Sequence, residues 1–203
     1  IKDLTLSSLK MRYMKKIIIG IFLLVIVNQV NAQLSIGIKG GTSFASIKKM
    51  ESANASSTSD NNRTAFVLGA YATLSLSEKL KIQPEVLYQG MGGSINNVVF
   101  ENNYVSVPIL LKYGLTNSFY LEAGPQFSIL SSSTSAGMDI KDKFTSSDFQ
   151  VLIGASLNLT DKIGAGVRYG MGMSNIASNA YKSIINTDIK NNAFMVMLSY
   201  KLL

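Results

Sequence analysis

The chain has 203 residues, of which 47% are hydrophobic and only 15% are charged. It contains neither histidine nor cysteine, which excludes disulfide bonds, thiolate metal sites, a lipid anchor on cysteine and histidine-based catalytic triads. The formal net charge of +7 arises largely in residues 1–32, which hold five Lys or Arg and one Asp. No basic cluster with interleaved aromatic residues is present, so nothing indicates nucleic-acid binding.

The N-terminal segment has the parts of a secretory signal peptide. Met14 begins a basic flank, and an apolar run follows over 17–27, which is shorter than the roughly 20 residues of a membrane-spanning helix. The small residue Ala32 favours cleavage between Ala32 and Gln33. The predicted division is an upstream segment at 1–13, a signal peptide at 14–32 and an exported domain at 33–203. An uncleaved N-terminal membrane anchor is the alternative.

The exported domain alternates apolar and polar residues with the period of two that β-strands show. The clearest segments are 104–115 and 119–129, a hairpin in which Lys112 and Glu122 lie on the polar faces. The eight predicted strands are 35–46, 64–76, 80–89, 104–115, 119–129, 149–159, 163–174 and 194–202. Strands of this length, with charges among glycines on one face, favour a wall between lipid and a polar lumen.

The predicted connections alternate in length. Short turns follow the second, fourth and sixth strands, and long polar loops follow the first, third, fifth and seventh. Even strand numbers, short periplasmic turns and longer extracellular loops are typical of bacterial outer-membrane barrels. The sequence therefore predicts an all-β fold, an eight-stranded antiparallel up-and-down transmembrane β-barrel.

Three prolines fall inside predicted strands, namely Pro84, Pro108 and Pro125. A proline cannot donate a hydrogen bond to the ladder, and a closed barrel has no free edge on which to place it. We therefore expect a bulge or a strand end at each proline, and two true breaks would lower the strand count.

Five short motifs occur in order along the exported domain. They are GIKGG at 37–41, QPEVLY at 83–88, VPILLKY at 107–113, GP at 124–125 and RY at 168–169. Their order and spacing resemble the PorT-like outer-membrane β-barrel family of Gram-negative bacteria. The resemblance implies an eight-stranded barrel in the outer membrane in which the three prolines are part of the pattern. One member of that family is linked to protein secretion.

The polar faces of the predicted strands supply candidates for the lumen. They are Lys39, Glu85, Lys112, Glu122 and Arg168, with Lys201 as a further candidate. Because eight strands enclose just enough space for side chains, a broad pore is not expected. We interpret these residues as an internal ion-pair network, and the alternative is a narrow charged conduit or gate.

A cation site formed by Asp139, Asp142 and Asp148 is not predicted, because their spacing fits no EF-hand loop. We interpret these residues as solvated loop carboxylates. No catalytic, cofactor or metal site is predicted.

The sequence thus predicts a non-enzymatic outer-membrane protein, acting as a structural, adhesion or interaction protein through its extracellular loops. An accessory role in secretion follows from the family resemblance alone. The expected partners are outer-membrane lipid and envelope or secretion proteins, and the expected state is a monomer. The alternative is a soluble periplasmic lipocalin-like barrel that binds a small apolar ligand. That alternative requires a cavity lined by Val107, Ile109, Leu111, Val151, Ile153 and Val167.

Overall fold

The structure, a computed structural model, describes residues 34–50, 63–95, 98–178 and 188–203. The predicted upstream segment, the signal peptide and the cleavage site between Ala32 and Gln33 lie outside the described residues. Within the described ranges, no helix combines the length and the apolar character that crossing a membrane requires.

The described residues form nine β-strands. These are β1 Leu34–Met50, β2 Arg63–Ser75, β3 Leu80–Ile95, β4 Val98–Gly114, β5 Phe119–Ser135, β6 Met138–Asp139, β7 Ser147–Asn158, β8 Ile163–Gly172 and β9 Asp188–Lys201. Neighbouring strands pair antiparallel, and β1 pairs with β9. The two-residue β6 pairs only with β5. The other eight strands therefore close into a barrel, which confirms the predicted fold.

The pairings also define the stagger of the barrel. One circuit of paired residues runs through Leu34, Leu74, Ile82, Leu111, Ala123, Ile153, Tyr169, Phe194 and Phe44. The circuit returns to β1 ten residues beyond its start. Such a displacement requires the strands to tilt relative to the barrel axis, as they do in closed barrels.

The outer wall of the barrel is apolar and the polar side chains point inward. Leu68 is 59% exposed, whereas Glu85 and Arg168 are 2% and 1% exposed. Five of the six aliphatic residues required to line a lipocalin-like cavity are exposed on the outer wall, and Val151 is half-buried. The soluble lipocalin-like alternative is therefore not favoured.

Three short turns, the start of β1 and the end of β9 lie at one end of the barrel, which we call the inner end. In each turn, a side-chain hydroxyl oxygen accepts a hydrogen bond from the backbone amide three residues later. The three bonds are Leu80 N to Ser77 Oγ at 3.1 Å, Phe119 N to Thr116 Oγ1 at 3.0 Å and Ile163 N to Thr160 Oγ1 at 2.9 Å. Hydroxyl residues stabilise turns in this way, and the predicted short turns are present.

The outer end differs from the prediction. β3 continues to Ile95 and β4 begins at Val98, so two residues connect them. The prediction of a long loop after the third strand is therefore wrong. β1 and β5 also continue beyond their predicted ends, to Met50 and Ser135. Alternation fails as a signal here because strands that leave the apolar band of the membrane need no apolar face.

The prolines do not behave as the sequence predicts. Regular pairing is interrupted beside Pro84 and Pro108 in β3 and β4, but the register is the same on both sides. Pairing between β4 and β5 is likewise interrupted beside Pro125 without a change of register, whereas Pro125 pairs with Val151 in an unbroken register between β5 and β7. A register shift does occur between β4 and β5, but it lies between Asn103 and Tyr104. The expectation of a bulge or strand end at each proline is therefore wrong.

A layered lumen as the candidate functional site

The inner half of the lumen contains five interacting charged side chains, here called the charged cluster: Lys39, Glu85, Lys112, Glu122 and Arg168. Arg168 lies at its centre. Its Nη1 atom is 3.0 Å from Glu85 Oε2, and its Nη2 atom is 2.8 Å from Glu122 Oε1. One guanidinium group therefore bridges two carboxylates.

Lys39 and Lys112 each pair with one of these carboxylates, so positive and negative charges alternate through the charged cluster. Lys39 Nζ is 2.6 Å from Glu85 Oε1, and Lys112 Nζ is 3.4 Å from Glu122 Oε2. The Gln83 amide also donates to Glu85 Oε1 at 2.6 Å. The structure thus brings together all five residues that the sequence places in the lumen, whereas Lys201 is exposed at the inner rim.

The strand register explains why these side chains meet. Lys112 on β4 is directly opposite Glu122 on β5, and Arg168 on β8 is directly opposite Gly154 on β7. A Cβ atom on Gly154 would lie 2.5 Å from the Val167 carbonyl oxygen and 3.1 Å from Arg168 Cα. Glycine at 154 therefore permits the close approach of the two strands beside Arg168.

An apolar layer lies outward of the charged cluster and was not predicted. It consists of Val67, Leu87, Leu110, Leu152, Met195 and Met197, and we call it the middle layer. Along β3, for example, the inward residues are Glu85, then Leu87, then Gln89. One signal in the sequence could have indicated this layer. Alternation assigns Leu87, Leu110 and Leu152 to the polar faces of their strands, although all three are apolar.

A third layer contains amide side chains and one carboxylate. The Gln126 amide donates to Gln150 Oε1 at 3.3 Å and to Gln89 Oε1 at 3.4 Å. Asp148 accepts hydrogen bonds from Ser174 Oγ at 2.6 Å and from the Gln150 and Asn191 amides at 3.2 Å each. We call this group the polar layer.

The three aspartates proposed as solvated carboxylates have different environments. Asp139 and Asp142 are exposed, but Asp148 is only 2% exposed. The prediction for Asp148 is wrong because it is an inward residue of β7. Among the described residues, no group of three or more His, Cys, Asp or Glu side chains is arranged to hold a metal ion.

The outer mouth is filled by a second apolar cluster, here called the outer plug. Its members are Ala45, Ile47, Met91, Phe100, Tyr104, Leu130, Phe144, Ile176, Ala177, Ile189 and Ala193. Phe144 and Ile176 come from segments that follow β6 and β8. The Phe144 ring packs edge-on against Phe100 with 5.9 Å between centroids. These connecting segments therefore extend across the mouth of the barrel.

Backbone hydrogen bonds fix the two connecting segments to each other and to the wall. Phe144 and Ala177 form an antiparallel bridge, and Thr145 N donates to Ile176 O at 2.8 Å. Ile176 N in turn donates to Ile189 O at 2.9 Å. This packing closes the lumen at its outer end and does not favour a continuous conduit.

A closed eight-stranded barrel with an apolar outer wall and a charge-paired lumen defines an outer-membrane β-barrel protein. The profile of the family described as outer membrane protein beta-barrel domain matches residues 28–178. The chain belongs to this family and lies in the outer membrane of a Gram-negative bacterium, with lipid around its outer wall.

Two solved structures show the same fold. Ail, the attachment invasion locus protein of Yersinia pestis, is 14% identical with a TM-score of 0.51, over 83% of this chain and 98% of Ail. Neisserial surface protein A is 10% identical with a TM-score of 0.52, over 81% of this chain and 96% of that protein. No curated protein matches the sequence. The narrower PorT-like assignment stays a prediction.

Proposed function

We propose that this barrel is a non-enzymatic envelope protein that acts through its outer end, as an adhesion or interaction protein at the cell surface. The main observation that supports the proposal is the outer plug. A lumen closed by packed side chains is poorly suited to transport, whereas the same packing gives the outer surface a fixed base. β1 ends at this end of the barrel with Met50 and β9 begins there with Asp188, so residues 51–62 follow the one and residues 179–187 precede the other in the sequence.

Side-chain hydrogen bonds hold the connecting segments of the outer end in place, which supports a role of this end in recognition. Lys141 Nζ donates to the Ser131 carbonyl at 3.1 Å, and Asn175 Oδ1 accepts from Ala177 N and Ile189 N at 3.0 Å each. Met138 nearby is 67% exposed. Binding residues are commonly carried on loops that a rigid scaffold positions.

A non-enzymatic role is supported by the chemistry of the side chains. The chain has no histidine or cysteine, and Glu85 and Glu122 are both engaged by cationic partners. A carboxylate whose oxygens are paired with cations in this way is poorly suited to general acid catalysis.

The test compares a deletion strain carrying the full chain with one carrying a chain whose residues 51–62 are replaced by a Gly-Ser segment of equal length. Heat-dependent gel migration establishes that both barrels are folded. We expect attachment of the cells to host or neighbouring-cell surfaces to be restored only by the full chain. Full restoration by the replaced chain, together with an unchanged response to further replacement of 179–187, would reject the proposal.

An accessory role in secretion is the second candidate, and it is supported by the PorT-like resemblance. The same strains distinguish it, because the proteins released into the medium can be compared by mass spectrometry. Loss of released proteins from the deletion strain, with attachment unchanged, would favour secretion over adhesion. A control chain with Lys162→Ala alters an exposed residue at the inner end and should restore the wild-type result.

A further inference from the structure

Two lysines face each other at the inner mouth of the lumen. Lys81 on β3 is directly opposite Lys112 on β4. Both ammonium groups approach the ring of Tyr120, with Nζ at 4.4 Å and 5.5 Å from its centroid. Like charges directly opposite each other in a sheet are destabilising, so this pair is expected to require a compensating negative charge.

The carboxylates of the charged cluster do not fully supply that charge. Glu85 pairs with Lys39 and Arg168, and Glu122 pairs with Arg168 at 2.8 Å. The distance from Glu122 to Lys112 is longer, at 3.4 Å. Lys81 has no carboxylate partner within the described residues. Two carboxylates therefore compensate four cations at the inner half of the lumen, which leaves an excess of two positive charges.

Both ammonium groups have a donor left. Lys112 Nζ donates to Gln83 Oε1 at 3.3 Å and pairs with Glu122, which engages two of its three N–H donors. The Tyr120 hydroxyl group donates to the Asn117 carbonyl at 3.0 Å, so its oxygen accepts the bond from Lys81 Nζ at 2.9 Å. An ammonium group has three N–H donors, so Lys81 retains donors beyond that bond. Lys81 is half-buried, and the Lys112 side chain is 12% exposed. Both are therefore partly desolvated and still accessible from the inner mouth.

We propose that Lys81 and Lys112 form a binding site for a phosphate group at the periplasmic mouth of the lumen. A phosphate monoester carries about −1.5 to −2 charges at neutral pH, which matches the excess positive charge. Lysine binds phosphate as a point charge and requires no planar fork. The phosphate is either free or the headgroup of a lipid monoester. The site does not depend on the function proposed for the outer end.

The test uses the barrel folded in alkyl-glucoside micelles, which contain no phosphate, and titration with inorganic phosphate in a calorimeter. We expect saturable binding at one site. Lys81→Gln and Lys112→Gln should each weaken it about tenfold or more, because each removes a charge-assisted hydrogen bond. Lys162→Gln is the matched control, because Lys162 lies on an exposed turn at the same end. It should retain the wild-type affinity.

Heat-dependent gel migration must first establish that each variant is folded. Absence of saturable phosphate binding to the folded wild-type barrel would overturn the proposal, as would equal weakening by Lys162→Gln. Competition with a short-chain phosphatidic acid distinguishes the two sources. If the lipid displaces phosphate at a concentration below the Kd of inorganic phosphate, the site is assigned to a lipid headgroup. If displacement requires a concentration above that Kd, the site is assigned to free phosphate. Cell attachment by the Lys81→Gln variant separates this site from the outer-end function.

Discussion

The two ends of the lumen are filled in different ways. At the inner end, strand residues distant in sequence pair through charge, with Arg168 between Glu85 and Glu122. At the outer end, connecting segments contribute Phe144 and Ile176 to apolar packing. A buried charge that loses its partner is left uncompensated, whereas a connecting segment can partly collapse into the space that an apolar side chain leaves. The comparison indicates that the inner end is the more sensitive to removal of one side chain.

The largest expected effect is that of Arg168→Met. The substitution leaves Glu85 and Glu122 buried beside each other without their shared cation, and removing one partner of a buried ion pair costs about 3–5 kcal/mol. The measurement is the free energy of unfolding by urea in lipid vesicles. The Lys39 and Lys112 partners remain in place, so the barrel itself should still assemble.

Arg63→Met is the matched control in the outer half. Arg63 Nη2 is 3.6 Å from Glu101 Oε2, and the Glu101 side chain is 52% exposed. Its loss should cost less, about 1–2 kcal/mol, because the carboxylate left behind is solvated and the other acceptors, including the Met91 and Asn102 carbonyls, are neutral. Similar losses for the two arginine variants would mean that water reaches the charged cluster, and the contrast between the two ends would fail.

Phe144→Ala should have an intermediate effect, confined to the outer mouth. A buried Phe→Ala change costs about 3–5 kcal/mol, and we expect the lower limit because a connecting segment can partly collapse into the space. The loss should appear as faster amide hydrogen exchange at Thr145 and Ile176, while exchange in the barrel strands is unchanged. Phe127→Ala is the control, since Phe127 is 59% exposed on the outer wall. Unchanged exchange at Thr145 in the Phe144 variant would show that the plug does not hold these segments.

The smallest effect is expected for Asp148→Asn in the polar layer. Asp148 accepts bonds from neutral groups, so neutralising it leaves no partner cation without a counter-charge. Its unfolding free energy should change by less than about 1 kcal/mol. The same chemical change in Glu122→Gln deprives Arg168 and Lys112 of a counter-charge and should cost about 3 kcal/mol or more. Equal effects would remove the distinction between the layers.

The sequence predicts the barrel wall better than its contents. Period-two alternation locates residues such as Leu68 and Leu111 on the outer wall, because lipid demands an unbroken apolar face. It also places Glu85, Glu122 and Arg168 on the inward face. Which inward residues meet depends on the register between strands that are far apart in sequence, and alternation alone carries no information about that register.

The outer end was the least predictable part for a different reason. Ser133 and Ser94 are buried in strands, although their surroundings in sequence have the composition of loops. Above the lipid, polar side chains can face either way, so no apolar face marks the strand. Phe144 and Ile176 lie in segments without periodicity, and only the closed barrel shows that they share one cluster.

The pairing of β1 with β9 has a consequence for assembly. This ladder extends from Gly37 opposite Lys201 to Met50 opposite Asp188, and it joins the first and last of the described strands. Any partly inserted chain that lacks it exposes two rows of unpaired backbone groups to hydrocarbon, where each unsatisfied group costs several kcal/mol. Insertion is therefore expected to be nearly all-or-none, with a rate set by a contact between the most distant strands, and a chain truncated within β9 should aggregate before it inserts.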